Sequence, residues 1–165
     1  MDETEMEAHI SATAPACIRV FKLSPCRLAN LIDDNFKTVP LSESDAAAKA
    51  FANLGLALSE ATIESQDIDG VPLGFISTTL PFKASLILAP NLREVVGAVL
   101  GWPLVAVVPD RDFLYLWAAR HTDFAQRIGG VVVREYSQAA YPISTEVYEI
   151  TDQAIRAIGE FPREA

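Results

Sequence analysis

The chain has 165 residues, half of them apolar, and carries 22 acidic against 13 basic residues for a net charge of −9. That apolar content, over the length of one domain, supports a buried core and excludes disorder as a description of the whole. An acidic body without a basic stripe repels phosphate backbones and anionic lipid, so neither nucleic acid nor a membrane surface is an expected partner.

Residues 1–16 hold Asp2, Glu3, Glu5 and Glu7, then an Ala/Ser/Thr-rich run. They read as a loose acidic tail ahead of one domain over 17–161, without the basic start and apolar core of a secretory signal. The longest nearly apolar stretch, Gly97 to Pro109, is too short to cross a bilayer, and a cytoplasmic location is expected. Cys17 and Cys26 match neither a zinc spacing nor a redox pair and read as thiols.

Cys17 to Phe21 alternates as a strand does, and Ser24-Pro25 opens a helix carrying Leu28, Leu31, Ile32 and Phe36 on one face. Ser42 and Asp45 resemble a capping box before an Ala-rich helix that only Gly55 weakens. Thr62–Ser65 and Val71–Ser77 pair as a hairpin, because Asp69-Gly70 supplies positive-φ turn residues. Pro72 puts the start of the second strand at an edge or outside the ladder. A helical pattern begins at Lys83 and restarts after Pro90, with Leu92, Val95, Val96 and Val99 on one face; Gly101 and Pro103 close it.

Two apolar runs, Leu104–Val108 and Phe113–Trp117, flank the charged knot Pro109-Asp110-Arg111-Asp112 and read as a central hairpin. Phe113, Tyr115 and Trp117 share one face, Leu114 and Leu116 the other, so both faces are covered. After His121, Phe124, Ile128 and Val131 suit a helix, while Gly129-Gly130 and Val131-Val132-Val133 oppose one. Thr145–Ile150 is strand-like, Thr151-Asp152 a turn, and Ala154–Phe161 a return strand or short helix.

Over residues 75–161 the chain resembles the C-terminal half of the YtpQ-like family, bacterial proteins of unknown function. The motifs are Lys83-Ala84-Ser85-Leu86-Ile87-Leu88, Ala106 through Leu114, Gly129-Gly130 and Pro142-Ile143-Ser144. Where the family has an acidic residue before the Ala-Ser pair and an arginine after it, this chain has Lys83 and Leu86. The resemblance implies one helix over 122–138, a hairpin over 145–161 and repeated helix-hairpin units. Such an architecture is α+β, an antiparallel sheet with helices packed mainly on one face. It lends no catalytic residue.

The charged knot is the first candidate site. Pro109 and Asp110 suit positions i+1 and i+2 of a type I surface turn, whose carboxylates accept local N–H groups. Alternatively, Asp110 and Asp112 offer hard oxygens or an acid/base pair while Arg111 grips a carboxylate or phosphate. Two acids and a base define no metal site. His121 reads as a surface histidine at a helix start or as a catalytic one, and Tyr141 as a groove residue or a half-buried boundary. Ser77, Ser85, Ser137 and Ser144 lack a nucleophile elbow, and the glycines form no nucleotide-binding loop. No cofactor is expected.

The expected function is a non-enzymatic binding module with candidate contacts Asp110, Arg111, Asp112, His121 and Tyr141. The alternative is a small hydrolase-like enzyme with its site at the Pro109–Asp112 turn and His121 convergent on it. A protein partner or a two-fold dimer is expected, the dimer because Pro72 marks an edge strand.

Overall fold

The computed structural model describes residues 43–162. The expected tail, the strand Cys17–Phe21, the helix carrying Leu28 to Phe36, both cysteines and Ser42 of the capping pair lie outside the described residues.

Helix α1 (Glu43–Glu60) leads into β1 (Thr62–Ile68) and β2 (Val71–Ser77). A 3-10 helix (Lys83–Leu88) and a π-helical turn (Arg93–Gly97) that continues as α2 (Ala98–Leu100) lead into β3 (Leu104–Asp110) and β4 (Phe113–Ala118). Helix α3 (Phe124–Gln138) then leads into β5 (Glu146–Ile150) and β6 (Ile155–Glu160). Among the described residues a helical segment followed by a hairpin thus recurs three times, and the hairpins join in one antiparallel sheet of order β1-β2-β4-β3-β5-β6. The fold is α+β.

Period-two alternation on the central strands divides the core. Leu104, Ala106 and Val108 of β3, with Leu114, Leu116 and Tyr148, pack toward Leu58 of α1, Leu86 and Ile87 of the 3-10 helix, and Val96 and Leu100. Val105 and Val107, with Trp117 and Val147, pack toward Phe124, Ile128 and Val132 of α3. Among the described residues, most helical segments therefore cover one face and α3 alone covers the other. Both faces of β3 are buried, which is why its sequence is a continuous apolar run rather than an alternation.

At the β1–β2 turn, Asp69 and Gly70 take φ of 53° and 82°, the pair of positive values that a tight hairpin needs. Pro72 lies outside the β2–β4 pairing, which registers at Gly74 opposite Leu116. The expectation that Pro72 marks an edge is corrected, however: β2 is internal, and among the described strands the edges are β1 and β6. Strand β1 exposes Glu64 and Asp67. In β6 the register against β5 shifts between Val147 and Tyr148, which face Gly159 and Ala157, so Ile158 is an extra, bulged residue.

The helix read from Leu92, Val95, Val96 and Val99 forms with a different phase. Leu92, Val96 and Leu100 are buried while Val99 is 50% exposed. A π turn closes i→i+5 bonds, so its wider repeat carries the apolar face past Val99 to Leu100. Gly55, which weakens α1 by propensity, lets another segment close in: a Cβ there would meet Pro90 Cγ at 3.3 Å, and Asn91 Nδ2 donates to the Gly55 carbonyl at 3.0 Å. Helix α3 runs unbroken through Gly129 and Gly130, as expected.

Candidate functional site

The charged knot joins the two central strands. Its turn falls two positions later than Pro109-Asp110 predicts: β3 runs to Asp110, which pairs with Phe113, and Arg111-Asp112 make the turn. Pro109 is buried within β3 at a register shift between Val107 and Asp110. Such an irregularity is where a strand accommodates a residue without an N–H.

From this turn three polar side chains tie two neighbouring segments together. Asp110 accepts from the Asp112 amide through Oδ1 at 2.7 Å and from the Tyr141 amide through Oδ2 at 3.3 Å. Asp112 accepts from the Phe82 amide through Oδ1 at 2.6 Å, and its Oδ2 takes Arg111 Nε and Nη2 at 3.1 and 2.7 Å. Backbone bonds reinforce both sides, since the Ala84 amide donates to the Arg111 carbonyl and the Arg111 amide to the Tyr141 carbonyl.

The Arg111 guanidinium packs against two rings, with its carbon 3.7 Å from the Tyr141 centroid and 4.8 Å from that of Phe82. Only 14% of its side chain is exposed. Phe82 is held at φ 66°, ψ 40°, a left-handed conformation that is uncommon for a bulky residue and persists where surroundings over-determine it. Here the Asp112 carboxylate on its amide and the arginine on its ring supply that determination.

The hydrogen bonds from Arg111, against the opposing cost of burial, hold the Asp112 carboxyl below the usual aspartate value; the Phe82 amide and the charge of Lys83 add to the effect. Reciprocally, the Asp112 bond raises Arg111. Both groups stay charged across the neutral range.

The structure thus brings together Asp110, Arg111, Asp112 and Tyr141. It does not bring His121 to them. His121 follows β4, with its amide on the Ala118 carbonyl, while Asp112 precedes β4. The six residues of that strand separate the two by about 20 Å at 3.3 Å per residue. The expectation of a single site for all of them is corrected accordingly, because the hairpin puts its turn at one end and His121 at the other. His121 is half-buried just ahead of α3, and its Nε2 is buried and meets no hydrogen-bond partner among the described residues.

Phe82 is the site residue that sequence reasoning missed. Pro81 signalled only a break in the chain, and nothing in Leu80-Pro81-Phe82 announces a left-handed phenylalanine under an arginine. A separate trough of about 660 Å³ lies between Phe51, Ile87, Trp102 and Ile155, with the Arg93–Asp152 ion pair, 2.8 Å long, at its rim. None of the five candidate residues lines it.

Among the described residues no three His, Cys, Asp or Glu side chains group as a metal site requires, and no helix is long and apolar enough to cross a membrane. Comparison with protein-family models, with curated proteins and with solved structures found no match in any of the three.

Proposed function

We propose that this protein is a non-enzymatic interaction module of the cytoplasm, and that a partner protein docks on the surface formed by Phe82, Arg111 and Tyr141. The observation that carries this reading is the arginine packed against two aromatic rings at the end of the central hairpin. Arg and Tyr are the residues most often found to dominate interface energetics, especially beside partly exposed apolar side chains. Tyr141 is 47% exposed.

The carboxylates of Asp110 and Asp112 serve this surface as struts. Both are spent on backbone amides and on Arg111, so the rings and the guanidinium are already ordered before a partner arrives. Less entropy is then lost on association. The resemblance to the YtpQ-like family belongs to the same reading and supplies no activity.

The test is quantitative co-purification with the wild-type chain, with Tyr141→Ala and with a control, Ile158→Thr, on the far edge strand. A protein retained by wild type and by the control but lost by Tyr141→Ala supports the reading, provided all three chains melt alike. Identical retention by all three overturns it.

A further inference from the structure

We infer that the trough beside α1 and the last hairpin is the seat of this chain's own residues 24–36, docked through the apolar face of the helix that their sequence predicts. The inference goes beyond the docking surface proposed above and does not rest on it.

The trough, of about 660 Å³, is lined by Phe51 of α1, by Leu88 and Trp102, and by Ile150 and Ile155 of the last hairpin. Phe51 is 40% exposed. Leu88, Trp102 and Ile155 are half-buried against the core that Leu58 of α1 shares with β3 and β5. The trough is thus a concave, apolar extension of that core. The Arg93–Asp152 ion pair at its rim is exposed on both partners and answers its own charge. Such a seat suits an occupant that is apolar on its inner side and polar on its outer side.

Residues 24–36 have that division. At 3.6 residues per turn, Leu28, Leu31, Ile32 and Phe36 share one side of the predicted helix, and Asn30, Asp33 and Asp34 share the other. A helix of this length, about 20 Å, is marginal by itself in water and forms where its apolar stripe is buried.

Reach favours this occupant over others. The described chain begins at Glu43 of α1, and the connecting residues 37–42 span up to about 20 Å when extended. Phe51 lies about 12 Å along α1 from Glu43, so Phe36 reaches the rim of the trough. Pro40, which lacks an N–H, stops the segment from running straight on into α1. A tether this short holds the segment at an effective concentration in the millimolar range, so it takes the seat ahead of a second copy or a separate protein.

The experiment uses the full chain, whose two cysteines are Cys17 and Cys26. In Cys17→Ser a nitroxide is attached at Cys26, which the helical count puts on the polar side with Asn30 and Asp33, away from the contact. In the isotopically labelled protein, the amide signals of residues 102 and 150–155 should lose at least half their intensity relative to the reduced nitroxide. Those of Asp69 and Gly70, in the turn at the far end of β1, should keep theirs. Leu31→Asp should restore the lost signals, and if that variant does not fold, Leu31→Ala should restore them in part. Intact signals at the trough, broadening confined to other residues, or broadening that neither Leu31 variant relieves overturns the inference. The remaining control mixes the nitroxide-bearing chain, unlabelled, with labelled chain that carries no nitroxide. Undisturbed trough signals in that mixture support the intramolecular seat, and broadening there assigns the trough to a second copy and overturns it.

Discussion

The Arg111 guanidinium carbon stands 3.7 Å over the Tyr141 ring, although the whole of α3 separates the two residues in sequence. An arginine in a surface turn, paired only with a neighbouring acid, would contribute about 1 kcal/mol or less. The stacked and largely buried arginine observed here adds cation–π and packing contributions. Arg111→Ala is therefore expected to lower stability by about 2 kcal/mol, with Arg111→Lys between it and wild type. Urea melts measure this, and a loss under about 0.5 kcal/mol, the scale of an ordinary surface substitution, would show that the stack contributes nothing.

Trp117 is 1% exposed and meets Phe124 edge-on at 5.4 Å. Trp117→Ala removes that contact and leaves a cavity between β4 and α3, at an expected cost of about 3–5 kcal/mol. The same melts should place it below every variant of the charged turn.

Adjacent glycines of α3 should respond with opposite sign. A Cβ on Gly129 would come within 2.9 Å of the Phe161 ring, so Gly129→Ala is expected to destabilise by about 1–3 kcal/mol through overpacking. At Gly130 a Cβ would meet nothing within 4 Å, and Gly130→Ala should stabilise by about 0.5–1 kcal/mol, the helical advantage of alanine. Thermal melts of the two variants suffice, and shifts of the same sign would mean that β6 and α3 are not packed as described.

Asp112 gives a pH dependence with a definite sign. Its folded-state pKa lies below 3.8, so the unfolded chain binds the proton first and stability rises with pH through that window. The contribution is fully present above the unfolded value of about 3.9 and fades as the pH falls through the folded one. The carboxylate is 38% exposed, which keeps the effect modest through solvent screening. The stability gap between wild type and Asp112→Asn should be level from pH 7 to pH 5 and shrink below about pH 4. A gap that widens on acidification would contradict the Arg111 pairing.

Sequence pattern revealed the parts of this fold that depend on neighbours close along the chain. Asp69-Gly70 specified its hairpin turn, and the apolar run of β3 and the two-faced β4 specified a central pair. Features set by distant segments were not legible. Spacing put Val99 on the buried face because it assumes 3.6 residues per turn, which the π turn from Arg93 to Gly97 violates. At the site, Asp110, Arg111, Asp112 and Tyr141 could each be nominated by residue type. Their convergence, the exclusion of His121 and the capture of Phe82 follow only from how the 3-10 segment and the loop after α3 return to the hairpin.

The bulge at Ile158 has a bearing on assembly. A flat outer strand can zip onto the strand of another molecule, and runaway pairing of that kind is how sheets seed fibres. In β6 the extra residue breaks the even spacing of amide and carbonyl groups, so an incoming strand would lose register after a few residues. At the opposite border, the exposed Glu64 and Asp67 of β1 put acidic side chains on the edge strand, and charges there disfavour edge-to-edge pairing. Among the described residues, both borders of the six-stranded sheet thus carry features that disfavour pairing with another strand.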